Sequence, residues 1–215
     1  MKKVISNFVF CCVLCCVLAF PSMSAAAFQT NSNLMLPPGG EYTGSGWIYS
    51  FGQTNISISD VTLSGWSSSV APPAQGVTIS HSCSATLGGT LIITNNNINE
   101  SFARNANITF SMTGGSGTTM NTELTQMNAN ISSSLGTILL RESPTLHSYG
   151  QTDITGPSGG YYFIDSFFDV FTELSLDGGI SWLPSTSSSD LTLVPEPATM
   201  LLLAAGAIAL RRCRR

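Results

Sequence analysis

Short runs of β-branched and aromatic residues recur about every ten residues through the middle of this chain, and this spacing limits its fold more than any other feature. Glycine, proline, asparagine and serine separate the runs, and long helical periodicity is hard to find. Residues 55–59, Asn-Ile-Ser-Ile-Ser, alternate as a half-buried strand does. The candidate strands are residues 46–51, 55–63, 77–83, 90–94, 107–112, 124–131, 137–141, 161–164, 167–176 and 191–193. The sequence therefore predicts an all-β fold, a single β-sandwich-like domain.

Charged residues are scarce and unevenly placed. They make up 9% of the 215 residues, against about 25% in average soluble domains. Most basic residues lie at the two ends, so residues 28–194 hold two arginines against eleven acidic residues, a net charge of −9. Such a body repels nucleic acid and anionic lipid, and we expect no nucleic-acid partner.

The N-terminus has the three-part layout of a secretory signal peptide. Lys2 and Lys3 precede an apolar run over residues 4–20, and small residues follow. Ala25 and Ala27 satisfy the small-x-small preference of signal peptidase, which predicts a signal peptide over residues 1–27. The alternative is an anchor that is never cleaved.

Four of the six cysteines, Cys11, Cys12, Cys15 and Cys16, lie in this leader. Cys83 is then the only cysteine of the body, so an internal disulfide framework is excluded. We expect Cys83 to be a buried small side chain, the alternative being a reactive or intermolecular thiol.

The C-terminus has three parts in order. Pro195, Glu196 and Pro197 come first, followed by a mainly apolar run over residues 198–210. As a helix this run would span about 20 Å, short of a hydrocarbon core of about 30 Å. A basic cluster ends the chain: Arg211, Arg212, Arg214 and Arg215. The pattern predicts a short transmembrane helix that spans transiently, with the arginines held on the cytoplasmic side.

These three parts together resemble the tail of PEP-CTERM proteins. The resemblance implies that Pro195, Glu196 and Pro197 are recognised by an exosortase-like membrane enzyme and that the tail is cut near them. It also implies export to the surface or extracellular matrix of a Gram-negative bacterium. The chain would then divide into a signal peptide (1–27), a body (28–193) and a sorting signal (194–215). The alternative is a tail-anchored periplasmic domain that is not processed.

Residues 175–182, Ser-Leu-Asp-Gly-Gly-Ile-Ser-Trp, resemble the Asp-box hairpin of sialidases. In such a hairpin Asp177 would cap the turn, Gly179 would accept a positive φ and Trp182 would pack beneath it. Propellers carry several copies and this chain has one, so the segment predicts a stabilised turn and not sialidase chemistry.

Motifs for catalysis and metal binding are weak. Residues 156–160 match G-x-S-x-G, but a predicted strand follows where a nucleophile elbow needs a helix. In a strand Asp165, Asp169 and Glu173 would share one face about 13 Å apart, too wide for a glycosidase pair. We therefore predict no catalytic residue and no enzyme activity.

His81 and His147 are the only imidazoles, and no zinc or EF-hand pattern appears. A calcium site built from scattered acids such as Asp60, Asp153 and Asp165 is left open. We predict no cofactor and no metal residue.

The expected function is that of an exported surface or matrix protein, structural or adhesive, with extracellular polysaccharide as a further contact. Aromatic side chains that would stack on sugars, if exposed, are Trp47, Trp66, Trp182, Tyr161 and Tyr162. The alternative is a secreted glycan-active enzyme, which a cleft with two close acids would favour.

Overall fold

Strands make up nearly all regular structure in the computed structural model, which describes residues 27–52, 54–134 and 136–194. The twelve strands of this part are β1 (Phe28–Thr30), β2 (Glu41–Phe51), β3 (Thr54–Ser64), β4 (Thr78–Ile93), β5 (Ile98–Gly114), β6 (Thr119–Ser133), β7 (Gly136–Glu142), β8 (Ser148–Ser158), β9 (Tyr161–Val170), β10 (Thr172–Ser175), β11 (Leu183–Pro184) and β12 (Ser189–Leu193). A 3₁₀ turn, Thr94–Asn96, joins β4 to β5. The prediction of an all-β fold is confirmed.

Eight of the strands close on themselves. The ring runs β9, β12, β2, β3, β4, β5, β6 and β8, and β8 returns to pair with β9. Every neighbouring pair in the ring is antiparallel. The predicted sandwich is therefore wrong, and the body is an eight-stranded barrel. The physical reason is β8, which hydrogen-bonds to β6 and β9 at once and leaves neither with an open edge.

One edge of β6 pairs with β5, and the other edge is divided between two partners. Residues 119–124 pair with β8, whereas residues 128–133 pair with β7. β7 continues to β10 and β10 to β11, so a second run of strands leaves the ring at β6. β11 then lies beside β2, where the Thr186 amide donates to the carbonyl of Ile48 at 2.8 Å. This branch forms one end of the molecule.

Side chains fill the interior of the barrel. On β3 the inward residues Ile56, Ile58, Val61 and Leu63 are each at most 1% exposed. The alternation slips between Ser59 and Thr62, where a bulge keeps both halves of the strand facing the core. Burying large aliphatic side chains in this way contributes about 2 kcal/mol each to stability.

Several polar groups inside the barrel are paired across it, although the buried indole nitrogen of Trp66 and the hydroxyl of Thr122 have no hydrogen-bond partner in the described part of the chain. The indole of Trp47 donates to the Val170 carbonyl at 2.9 Å. The Tyr42 hydroxyl donates to Ser166 Oγ at 3.0 Å, and Ser166 lies 2.7 Å from Thr152 Oγ1. These bonds connect β2, β9 and β8 through the interior, so they fix the closure of the ring as well as satisfying buried groups.

Most predicted strands have other bounds in the structure, and two of these differences change the fold. The predicted strands at 77–83 and 90–94 fall in one strand, β4 (Thr78–Ile93), because Gly88 and Gly89 continue its pairing with β5. Residues 167–176 are divided at Phe171 between β9 and β10. The break moves the chain from the ring to the branch, so Glu173 is buried and does not share the outer face of Asp165 and Asp169.

Both ends of the described chain meet at one edge of β9. β12 pairs with residues 167–170 of this edge and β1 with residues 162–164, so the two strands lie end to end. Thr192 of β12 also pairs with Thr43 of β2, and Phe51 lies eight residues further along β2, about 25 Å away. We call the end that holds Phe51 and the turn at residues 176–182 the distal pole.

Among the residues that the structure describes, there is no helix with the length and hydropathy needed to cross a membrane. The predicted signal peptide up to residue 26 and the predicted helix at 198–210 lie outside the described residues.

Candidate functional site

The turn at the distal pole is organised by one carboxylate. Asp177 Oδ1 accepts hydrogen bonds from Ser175 Oγ at 2.8 Å, from the Ile180 amide at 3.1 Å and from the Ser181 amide at 2.9 Å. Its other oxygen accepts from Ser181 Oγ at 2.5 Å. Gly178 and Gly179 have φ values of 74° and 92°, which side chains rarely adopt. The carboxylate thus holds the loop between β10 and β11 in a single shape.

These hydrogen bonds also set the charge of Asp177. The bond from the Ser181 hydroxyl, followed by those from the Ser181 amide and Ser175, holds the pKa of Asp177 far below its usual range. A carboxylate that stays ionised and uses its oxygens within its own turn does not serve as a general acid near neutral pH.

Trp182 closes the turn and is fixed from two sides. Its indole donates to the Gly179 carbonyl at 3.1 Å. The Arg141 guanidinium lies 3.9 Å from the ring centroid, and Arg141 Nη2 is 2.6 Å from Glu173 Oε2. One face of the indole is therefore covered by a cation, and that cation is itself held by a carboxylate on β10.

A pocket of about 320 Å³ opens beside this turn. Its walls combine apolar side chains with the polar edge of the turn: Phe51, Leu174, Leu176, Leu183, Trp182, Asp177 and Ser181. The walls provide mainly apolar contact surface. Asp177 is the one ionisable group among the lining residues, and its oxygens already accept hydrogen bonds within the turn. The arrangement suits binding better than acid–base chemistry.

Part of this site is predicted by the sequence: Asp177, Gly179 and Trp182 were expected in one turn, and the structure brings all three together there. The apolar walls are not predicted, because the end of β2 is distant in sequence from β10 and β11. The available signal was Phe51, an aromatic residue at the end of the predicted strand 46–51.

A second cluster surrounds Glu142 on β7. This side chain is 9% exposed and accepts one hydrogen bond, from Ser148 Oγ at 3.2 Å. Burial is the main cause that raises the pKa of Glu142 to about 7; the nearby Glu123 and Glu173 act in the same direction, while the Ser148 bond and His147 oppose the rise. Glu123 pairs with His147 Nδ1 at 2.6 Å. The carboxyl of Glu142 therefore keeps its proton to a higher pH than an exposed glutamate does.

The other predicted candidates are scattered. His81 contacts Ser68 at 3.3 Å, while His147 belongs to the Glu142 cluster. Asp153 and Asp165 lie opposite each other on β8 and β9, but Asp60 lies at the bulge of β3 and bonds to Ser59. In the described part of the chain no three histidine, cysteine or acidic side chains are close enough to hold a metal ion.

The aromatic candidates for sugar stacking are mostly unavailable. Trp47 is 1% exposed, and Trp66 packs against Tyr42 and Phe110 with centroids 5.7 and 6.0 Å apart. Tyr162 packs against the core, and Tyr161 is 47% exposed at the β8–β9 hairpin. Trp182 remains, with one face against Arg141.

Cys83 is half-buried, and burial raises the pKa of its thiol. Residues 156–160, the G-x-S-x-G match, fall in the β8–β9 hairpin, where Ser158 pairs with Tyr161.

The predicted sorting residues lie almost entirely beyond the described part. Ala25, Pro195, Glu196, Pro197, Arg211, Arg212, Arg214 and Arg215 are outside it. Ala27 precedes β1 and Val194 follows β12, where the Val194 amide donates to the Glu41 carbonyl at 2.8 Å.

Comparison with protein-family models finds a match to the PEP-CTERM protein-sorting motif at residues 193–215. Comparison with curated proteins and with solved structures gives no match. The predicted resemblance of the tail is confirmed, and the chain carries a PEP-CTERM sorting motif. That motif implies the exosortase system as its processing partner and export through the envelope of a Gram-negative bacterium.

Proposed function

We propose that this protein is a surface or matrix component that an exosortase-like enzyme releases from a transient membrane anchor, and that its barrel acts by contact and not by catalysis. The sorting motif at residues 193–215 carries the first part of the proposal. The second part is supported by the barrel interior, which is filled with side chains, and by a polar pocket wall whose carboxylate is already bonded.

The position of the chain ends supports display. β1 and β12 lie end to end on β9, so the leader and the tail join the barrel within a few residues of each other. The distal pole is about 25 Å from this point along β2. A barrel tethered by its tail would therefore present the pocket away from the membrane.

Replacing Pro195, Glu196 and Pro197 together with alanine tests the proposal in the native host. We expect the wild-type protein to be recovered from the surface or matrix with a start near Phe28 and without its arginine tail. The triple variant should remain in the inner membrane, because the recognised element is lost. Cell fractionation followed by intact mass spectrometry measures both outcomes.

A matched control replaces Pro72 and Pro73, which lie in a loop of the body, with alanine. This variant should be processed as the wild type is. Persistence of the full tail in the wild type would contradict the proposal and would favour a tail-anchored periplasmic domain.

A further inference from the structure

Aromatic side chains lie on the outer face of the barrel along β8 and β9. Tyr149 on β8 is 59% exposed, and Phe167 on β9 is 43% exposed. Gln151 is directly opposite Phe167, so Tyr149 occupies the diagonal position, about 7 to 8 Å from Phe167. Phe163 is partly exposed on the same side of β9, four residues or about 13 Å from Phe167. The barrel thus presents a row of rings on a flat sheet surface.

His147 fixes the ring of Tyr149. The two rings stack with their centroids 5.2 Å apart, and His147 Nδ1 is 2.6 Å from Glu123 Oε1. The tyrosine is therefore held in one orientation although more than half of it is exposed. A ring that is already ordered loses little conformational entropy when a ligand stacks on it.

Two pairs of aspartates lie on the same face. Asp165 of β9 is directly opposite Asp153 of β8. Asp169 of β9 is directly opposite Asp190 of β12. Like charges in directly opposed positions destabilise a sheet, and Phe167 lies between the two pairs. We call this surface the aromatic face, and its members are Tyr149, Phe163, Phe167, Asp153, Asp165, Asp169 and Asp190.

No lysine or arginine of the described residues neutralises the aromatic face. The two arginines of this part lie on other strands, Arg104 on β5 and Arg141 on β7. Asp153 accepts hydrogen bonds from neighbouring side chains, whereas the other three aspartates accept none there. Three carboxylates beside exposed rings are therefore available to a cationic partner.

The same face excludes several classes of partner. The described chain offers no group of three acidic, histidine or cysteine side chains that could hold a metal ion. The net charge of −9 repels anionic polymers. A peptide that binds by adding a strand needs an open sheet edge, and here β8, β9 and β12 are each paired on both sides.

A polymer of amino sugars complements both features of the face. The apolar CH groups of a sugar ring stack on aromatic rings, and protonated amino groups bind carboxylates and the faces of aromatic rings. Asp165 and Asp169 are about 13 Å apart along β9. Successive sugars of one chain can therefore reach both aspartates while a sugar between them contacts Phe167.

We propose that the aromatic face binds a polysaccharide that contains protonated amino sugars. Phe167 and Tyr149 stack on the sugar rings, and the flanking aspartates pair with the amino groups. This inference rests on the proposed function in naming a partner for a barrel that acts by contact. The binding itself is measured on purified protein and the sorting by cell fractionation, so each can fail without the other.

Isothermal titration calorimetry tests the binding, with the protein purified from its native host and a glucosamine hexasaccharide at pH 6. We expect this probe to bind about tenfold more tightly than an N-acetylglucosamine hexasaccharide, whose amides carry no charge. Added salt should weaken the binding. Phe167→Ala should weaken it about tenfold, and Asp165→Asn or Asp169→Asn about threefold each.

Asp169→Asn has a second expected effect that separates binding from stability. The change removes the repulsion between Asp169 and Asp190, so the melting temperature should rise while the affinity for the glucosamine probe falls. A lower melting temperature together with unchanged affinity would show that Asp169 serves the fold, and would contradict the proposal.

Asp60→Asn and Phe51→Ala are the matched controls, because Asp60 lies at the bulge of β3 and Phe51 at the distal pole. Neither should change the affinity. Equal affinity for the two hexasaccharides, or wild-type affinity in Phe167→Ala, would overturn the proposal. Oligolysine that binds as tightly as the glucosamine probe would also overturn it, and would assign the face to a basic protein segment.

Discussion

Glu142 is an acidic side chain in an apolar position. It continues the inward series of Ile138 and Leu140 on β7, and its one hydrogen bond comes from Ser148. Glu123, Glu173 and His147 are the titratable groups that act on it. Burial raises its pKa from 4.5 to about 7, so the folded protein holds a proton that the unfolded chain releases between these values. The contribution of Glu142 to stability is therefore complete below about pH 4.5 and is lost as the pH rises through 7.

The change Glu142→Gln should remove this pH dependence. A glutamine keeps an acceptor for Ser148 and cannot ionise, so the variant should gain up to about 3 kcal/mol over the wild type at pH 8 and almost nothing at pH 4. Urea unfolding at the two pH values measures the difference. Glu41→Gln, at an exposed position of β2, is the control and should change neither value. An equal gain at both pH values would show that Glu142 is not protonated in the fold.

At the scale of elements, the turn between β10 and β11 depends on Asp177. The change Asp177→Ala removes the acceptor for the amides of Ile180 and Ser181 and for two hydroxyl groups. We expect a lower melting temperature and faster hydrogen exchange at those two amides, while β4 and β5 stay protected. Hydrogen exchange with mass spectrometry measures this.

Asp165→Ala on the outer face of β9 is the control and should leave exchange at the turn unchanged. If Asp177→Ala exchanged at the wild-type rate, the turn would be held by Trp182 and its glycines alone.

The strands that could be predicted from the sequence differ from β8, which could not, in the apolar character of their inward positions. Alternating apolar residues identify β3, and β-branched runs identify parts of β4 and β9. β8 reads Ser-Tyr-Gly-Gln-Thr-Asp-Ile, and its inward positions include Ser148 and Thr152, so it has no apolar period. Those hydroxyls are buried because they bond to Glu142 and Ser166, which are partners that only the fold supplies. A prediction that lacks β8 leaves the ring open, and a sandwich is then the expected fold.

At the scale of the whole molecule, the ring is sealed where β2 meets β12. Gly44 lies at this seam. A methyl group added there would be 2.6 Å from the Asp190 carbonyl oxygen and 2.6 Å from Leu191 Cδ2. The change Gly44→Ala should therefore push β12 outward and destabilise the barrel by about 1 to 3 kcal/mol. Hydrogen exchange should rise first at the amides of β12.

Gly52→Ala is the control, because nothing lies within 4 Å of the added methyl group. Its positive φ of 61° adds local strain, but exchange in β12 should stay slow. Equal exposure of β12 in both variants would mean that the seam does not close the ring.

The last of the described strands, β12, is also the strand that closes the ring between β2 and β9. β12 ends at Leu193, the residue at which the match to the sorting motif begins. A chain that is exported with its N-terminus first cannot close the ring until β12 has also been exported. Until then β2 and one edge of β9 keep open hydrogen-bonding groups that invite aggregation. If the chain is exported as proposed, the sorting motif therefore follows directly on the strand that closes the ring, and a chain cut short before Ser189 would lack both β12 and the motif.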